Sequence, residues 1–469
     1  MAIMSIKTKS ISKVLAWDML ANFFLKGMSF ITVPIFTRLM QPSDYGQIAT
    51  FSSWTAILSI FIGLGTEGAI PLAKIEFDEK EFNRFNSSVL FLSFLSFVFF
   101  FTISIIVKSF LSNFLGFSAF FIPLMVIVSF ASYCISYNSS RLVQLKKTNI
   151  NSLISVCTAV LSTLVAIIVL KNTSDIDKYI PKICIDSFFT FVVGLTCFIY
   201  IWIKGRVCIN TKYWKFCLTI TIPLIFHSLA GIIFNQSDRI MLKAITSETD
   251  VGLYSLAYNM GLIISIIWIS CNRVWSPYYF EYKKNEDNQS IKEKSNNYMI
   301  FFTIMTLGFI CLAPEVFNLL APENYMGSIT IIPIIAMAYY FNFIYSFPAN
   351  YEFYYKKTKV IAVGTVMTAI VNIILNLLLI PSFASFGAAL ATLFSYMVLF
   401  LFHEINVRFV IKAKNYDYSF FFYLKGIIPV LIMLLIYYIT LNFWYIRWGI
   451  AFVLGAFLIV RVIKNKTIF

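Results

Sequence analysis

Apolar stretches of about 18 to 25 residues alternate with short polar breaks along nearly the whole chain. Each is long enough to cross roughly 30 Å of hydrocarbon as a helix. The pattern predicts fourteen spans, near residues 16–38, 46–70, 86–107, 117–140, 150–170, 180–203, 214–237, 251–273, 298–320, 328–350, 360–380, 384–407, 420–440 and 445–463. The longest polar segment, Glu281 to Asn297, is too short for a soluble domain. The expected class is an all-α integral membrane protein.

The stretch from Asn235 to Tyr258, NQSDRIMLKAITSETDVGLYSLAY, marks the middle. It leaves one apolar run, passes Asp238 and Arg239 where hydrocarbon should meet water, and enters the next run through Val251-Gly252-Leu253-Tyr254. TRLMQPSDYGQIATF, from Thr37 to Phe51, is a shorter version. There Arg38-Leu39-Met40 matches Arg239-Ile240-Met241, and Gly46 matches Gly252. Lys146-Lys147-Thr148 and Val156, Thr158 and Ala159 return as Lys356-Lys357-Thr358 and Val366, Thr368 and Ala369. Spans 1–6 and 7–12 thus read as two related lobes entering the membrane from the same side, a parallel repeat about an axis along the membrane normal. The expected division is residues 1–210, 211–410 and, outside the repeat, 411–469 with the last two spans.

Composition agrees: 59% of residues are hydrophobic and 13% charged, with mean hydropathy +0.81, far from the soluble range. The net charge of +15 follows from the excess of lysine and arginine on one side of the spans rather than from nucleic-acid binding. Counting along the predicted spans puts 28 of the 37 lysines and arginines on the side of both termini, which makes that side cytoplasmic. The eight cysteines lack metal-ligand spacing, and no GxxxxGK[ST] motif occurs. A transport reaction would therefore draw on an ion or the membrane potential. The N-terminal MAIMSIKTKSISK shows no cleavage site, so the first span is expected to stay in the membrane.

Charges inside spans are costly and tend to face a cavity or a partner. Lys26 sits mid-span, and at about 100° per residue Asp18, Asn22, Ser29 and Thr37 fall within about 80° of it, forming one polar stripe. His227, in the seventh span, shares a face with Gly231 and Asp238. The Arg38/Arg239 spacing of 201 places His227 opposite Lys26 in the repeat. Arg38 and Arg239, closing spans 1 and 7, suit a diphosphate by their fork of donors, or anchor the interface by pairing with Asp44 and Asp238. Gly46 and Gly252, 206 apart, align Glu67 with Arg273 as a candidate cytoplasmic gate. The alternative is that Glu67 pairs locally with Lys74. Arg141 and Asp186 read as buttresses of the first lobe, His403-Glu404 as interfacial, and Asn372 and Asn376 as helix-packing groups.

TRLMQPSDYGQIATF, SDRIMLKAITSETDVGLYSLAYNM and NIILNLLLIPSFASFGAALATLFSYMV together resemble the polysaccharide transporter (O-antigen flippase) family of the multidrug/oligosaccharidyl-lipid/polysaccharide exporter superfamily. The resemblance implies two pseudo-symmetric six-helix lobes in a MATE-like V, helices 1, 2, 7 and 8 facing a central cavity, and two additional helices. It implies a non-enzymatic bacterial inner-membrane protein, without cofactor or metal, that moves undecaprenyl-diphosphate-linked oligosaccharide, an O-antigen or capsular repeat unit, to the periplasmic leaflet. Lys26, Arg38, Arg239, Asn22 and Asn235 would contact substrate; His227, Asp238, Glu67 and Arg273 would couple or gate. Membrane lipid, H⁺ or Na⁺, a polysaccharide polymerase and a chain-length regulator would be its partners, and nucleic acid would not. Two alternatives stay open: a cation-coupled drug exporter of the same superfamily, and a membrane glycan polymerase or ligase. The second sits poorly with periplasmic loops as short as Lys171 to Lys182.

Overall fold

Without water in hydrocarbon, every backbone N–H and C=O must be paired within the chain, and long apolar stretches meet that demand as helices. The computed structural model describes residues 28, 31–174, 176–411 and 416–465, apart from the side chains of residues 224, 226, 227 and 465. Among them all regular structure is helical.

Two compact units divide within one helix, after Gln236. The first holds α1 (31–39), α2 (Pro42–Gly63), a 3₁₀ turn (Thr66–Ala69), α3 (Ile70–Glu76), α4 (Glu79–Ile106), α5 (Lys108–Leu115), α6 (Phe121–Gln144), α7 (Thr148–Lys171), α8 (Tyr179–Gly205) and most of α9 (Thr211–Ile245). In it α6 packs on α2, α4 and α8, and α7 lies outside against α8. The second holds the end of α9, α10 (Glu248–Lys284), α11 (Asn288–Leu320), a 3₁₀ turn (Glu323–Thr330), α12 (Ile332–Tyr354), α13 (Thr358–Ile405), a π turn (Asn406–Val410), α14 (Phe420–Ile439) and α15 (Trp444–Asn465). There α12 is the central helix, buried over nearly its whole length between α10 and α13, and α14 and α15 pack on α11.

Among the described residues eleven helices are long and apolar enough to cross a membrane, or twelve if the bent α9 is one span. One of the eleven, Thr358–Val410, has 53 residues, enough for two crossings. It contains both expected spans 360–380 and 384–407, separated by a kink at Ala384 (φ 46°), three residues after Pro381. The first expected span lies mostly outside the described residues. Fourteen is therefore an approximate count. In α9, Pro223 stands at a bend of 54° between Thr211–Pro223 and Ser228–Ile245, as expected where a proline removes a helical hydrogen bond.

Two expected loops are helical instead. The polar segment Glu281–Asn297 shrinks to a turn at Asn285–Asp287, since α10 runs on to Lys284 and α11 starts at Asn288. Its Glu and Lys residues are good helix formers, and Asp287 caps α11 by accepting from the Ser290 amide; bonds from the Ser290 hydroxyl and then its amide hold the carboxyl below the usual range. Likewise α9 passes through Asp238 and Arg239 to Ile245, leaving only Thr246 and Ser247 between helices.

The sequence repeat returns as repeated turns. Lys146 and Lys356 both take left-handed backbone (φ 58° and 56°). The next amides, Lys147 and Lys357, reach back to Leu142 and Glu352 carbonyls at 2.9 and 2.8 Å. A long helix, α7 or α13, starts one residue later in each case. Similarly α2 and α10 start 206 residues apart, at Pro42 and Glu248, each with an aspartate, Asp44 or Asp250, in its first turn.

Candidate functional site

The α2/α10 correspondence ends at Gly63. There α10 continues unbroken past Arg273, whereas α2 stops and Leu64 and Gly65 turn left-handed (φ 53° and 58°). The stop is built by packing. A Cβ on Gly63 would lie 2.2 Å from the Tyr133 ring, and Tyr133, fully inside, shares a hydrogen bond at its hydroxyl with Thr66 (2.5 Å) and takes one from Ser93 (2.8 Å). The 3₁₀ turn so fixed carries Glu67, which accepts from Ser136. Glu67 enters a cavity of about 500 Å³ whose walls include Ser52, Thr55, Ser59, Ser132, Ser136 and Ser228. Hydroxyls from α2, α6 and α9 thus surround one acid in an otherwise apolar helix bundle, a setting that solvates a polar or ionic guest.

In the second unit Asp238 is a hub. Its Oδ2 accepts from the hydroxyls of Tyr254 (2.5 Å) and Thr392 (2.9 Å), and its Oδ1 from the Asn376 amide (2.6 Å). One carboxyl therefore ties α9 to α10 and to both halves of α13. Beside it Ser237 donates to Asn372 (3.1 Å). Arg239 donates from Nε to Ser255 (3.2 Å) and lies over the Tyr258 ring, 4.7 Å from its centroid. Both Asp238 and Arg239 are buried, not set at a water boundary as their position after the apolar run suggested. Polar partners on α10 and α13, too distant in sequence to be seen, make burial possible.

The other predicted site residues fall as follows. Lys26 and Asn22 lie outside the described residues, as does the side chain of His227, whose backbone belongs to α9. Arg38 is exposed near the end of α1, where its Nη1 donates to the Pro34 carbonyl at 2.9 Å. Asn235 is exposed and bonds the Gly231 carbonyl within its own helix (2.7 Å). Asp44 caps α2 at the Gln41 amide and accepts from the Tyr179 amide of α8, both at 3.1 Å. Glu67 is half-buried in the first unit and Arg273 exposed in the second.

His403-Glu404, read from sequence as interfacial, is buried. His403 Nδ1 meets Glu352 Oε2 at 2.6 Å, Asn406 donates to the other Glu352 oxygen at 2.7 Å, and Glu404 binds Arg408 and Tyr416. A Cβ on Gly364 would be 2.4 Å from His403 Nε2, so glycine makes the space for that ring. The sequence signal for this cluster was Glu352 itself, an acid at the end of an apolar run. Arg141 is buried and donates to Asn83 (3.3 Å), and Asp186 pairs with Lys182 one turn away.

The fold is shared with solved structures of other membrane proteins. Over 96% of this chain and 98% of the other, it superposes with a TM-score of 0.74 and 19% identity on a structure of the lipid II flippase MurJ in an inward closed conformation. An inward-facing multidrug resistance MATE family transporter of the MOP superfamily matches with a TM-score of 0.59 and 11% identity, over 83% of this chain and 96% of its own. Residues 12–283 match the polysaccharide biosynthesis protein family, and the chain belongs to that family. An uncharacterised membrane protein of Haemophilus influenzae is 23% identical over 366 residues, 74% of this chain and 84% of its own. The Lsg locus putative protein 1 of the same organism is 26% identical over 162 residues, 32% of this chain and 38% of its own.

Proposed function

We propose that this multi-pass membrane protein is a flippase for polyprenyl-diphosphate-linked oligosaccharide, acting in the bacterial inner membrane with both termini cytoplasmic. The observation that carries the reading is the match, over nearly the whole of both chains, to a structure described as a lipid II flippase, joined to membership of a polysaccharide biosynthesis family. The multidrug transporter covers 83% of the chain, and drug export is the second reading. The hydroxyl-lined cavity around Glu67 supports passage of a polar group. Glycan hydroxyls exchange hydrogen bonds with serines and threonines at little cost, while the polyprenyl tail stays in lipid. The cationic residues Lys26, Arg38 and Arg239 would take the diphosphate, with Asn22 and Asn235 beside them. Glu67 and Arg273 would pair to close the cytoplasmic side, and His227 and Asp238 would couple transport to an ion.

The test is reconstitution of the full chain in proteoliposomes holding undecaprenyl-diphosphate-linked oligosaccharide, with lectin accessibility reporting translocation. Protein-dependent exposure of glycan is expected, together with its loss in Lys26→Ala at equal incorporation. Transport of a cationic dye without glycolipid movement would overturn the reading in favour of drug export.

A further inference from the structure

At the lysine- and arginine-rich end of the first unit, α4, α6, α7 and α8 enclose a second cavity of about 440 Å³, away from Glu67. Arg141 borders it. The residue is 4% exposed, and although Nη2 donates to Asn83, Nε and Nη1 have no partner among the described residues. A buried guanidinium keeps its charge and its donors, so these N–H groups await an acceptor. Lys147 and Lys204 also border the cavity, as does the exposed Glu79. Arg141 and Lys204 both face the Tyr200 ring, at 5.5 and 6.0 Å from its centroid. Ile150 and Ile154 of the outward-facing α7 give the cavity an apolar side, and Asn83, Asn138 and Thr196 add polar groups to the rest of its wall.

The repeat gives an internal control. The correspondence of Lys146 with Lys356, 210 residues apart, carries Leu142 to Glu352 and Ile154 to Gly364. In the second unit that site is filled from within: His403 packs on Gly364 and pairs with Glu352. In the first unit the corresponding site is open, and cationic rather than ion-paired. We propose that this cavity binds a phosphate group from outside the chain, that of an anionic phospholipid whose acyl chains lie along α7. A free phosphate ion offers the same acceptors from solution. The site stands independently of the flippase reading.

Native mass spectrometry of the full chain in detergent tests this, with phosphatidylglycerol as probe, diacylglycerol as the phosphate-free control and inorganic phosphate as competitor. The wild type is expected to retain phosphatidylglycerol at least about tenfold more tightly than Arg141→Gln, the loss of one charge-assisted contact. Lys147→Gln/Lys204→Gln, altered only at exposed positions, should lose several-fold and carries the test if Arg141→Gln does not fold. Lys80→Gln/Lys212→Gln, exposed lysines outside the cavity wall, should bind as wild type. Displacement of the lipid by millimolar phosphate supports the shared chemistry. Stabilisation by phosphate without lipid retention also supports the phosphate site but assigns its source to solution. Equal retention by the wild type, the cavity variants and the Lys80/Lys212 control, or equal retention of diacylglycerol, overturns the proposal.

Discussion

Replacing Asp238 by alanine removes the acceptor that three helical segments share. Tyr254, Thr392 and Asn376 would each lose a bond of 2.5 to 2.9 Å in a site with no exposure to speak of. Hydrogen bonds between membrane helices average about 0.6 kcal/mol and reach about 1.7, because the separated helices also find partners. Three of them amount to about 2–5 kcal/mol. At about 2–4 °C per kcal/mol for a unit of this size, the unfolding midpoint of purified protein should fall by at least about 4 °C at fixed scan rate. Asparagine should cost much less, below about 2 kcal/mol. Its oxygen can keep Tyr254 and Thr392 while its amide faces Asn376. The Asn376 Oδ1 and the Asn372 Nδ2 are both without partners among the described residues, so flipping these two amides restores a donor–acceptor chain through Ser237. The readout is tryptophan fluorescence on heating, with Asp238→Ala, Asp238→Asn and the exposed Arg38→Ala as control. A midpoint for Asp238→Ala within about 1 °C of wild type would refute the hub. So would an Asp238→Asn variant as unstable as Asp238→Ala, since the argument rests on acceptor geometry.

Thr392→Val removes one of those bonds and should lower stability by about 0.6–1.7 kcal/mol; in a cycle with Asp238→Ala the effects should be non-additive, and additivity would break the assignment. Gly63→Ala forces a Cβ to within 2.2 Å of the Tyr133 ring, and overpacking of this kind costs about 1–3 kcal/mol; thermal melts and a transport assay should both register it, whereas Gly231→Ala, with open space at its Cβ, should be silent in the melt. His403→Leu strips Glu352 of a buried partner and should cost about 3–5 kcal/mol, while Glu352→Leu/His403→Leu recovers most of it; a double variant worse than the single would contradict the pairing. Glu67→Gln should leave the melting midpoint within about 2 °C, the carboxyl being half-buried beside one serine, yet slow glycolipid translocation at least tenfold; translocation at the wild-type rate would remove Glu67 from the path.

Element type was legible because hydropathy over about 20 residues is decided locally, by what the bilayer demands of the backbone. Element ends were less so. Hydropathy alone ends a span before Asp238, because charge belongs in water. Burial of Asp238 depends on Tyr254, Asn376 and Thr392, residues 16, 138 and 154 positions away, and no window along the chain contains them together. The same holds for His403, whose partner Glu352 is 51 residues earlier on another helix. Pro223 and Pro381 stand at breaks of α9 and α13, yet Pro277, Pro314, Pro348 and Pro429 lie inside continuous helices, so a proline alone does not locate a break. The break after Gly63 has no proline, and follows from a tyrosine ring 70 residues later occupying the place of a side chain.

The repeat separates what the fold needs from what a site needs. Turns at Lys146 and Lys356 agree in φ within a few degrees, because a left-handed residue closing one helix and a start for the next are backbone requirements common to both units. Side chains one turn before them do not agree. Leu142 and Arg141 occupy the places where Glu352 and Tyr351 stand in the second unit. If the pair Glu352–His403 were only a way to fill that space, the first unit could have used it, or an apolar equivalent, at no topological cost. Instead it keeps a buried arginine with two nitrogens that have no partner among the described residues, and a cavity beside it. Holding such a charge with two of its three nitrogens unmet is expensive, and the expense is removed when a phosphate supplies the missing acceptors. Filling the cavity from within should then abolish lipid retention: Ile154→Gly, Leu142→Glu and Thr196→His, all at residues that line the cavity, would imitate the second unit's solution, giving a stable protein that no longer retains phosphatidylglycerol. A transplant that still retains the lipid as wild type would mean that the open cavity has no part in binding.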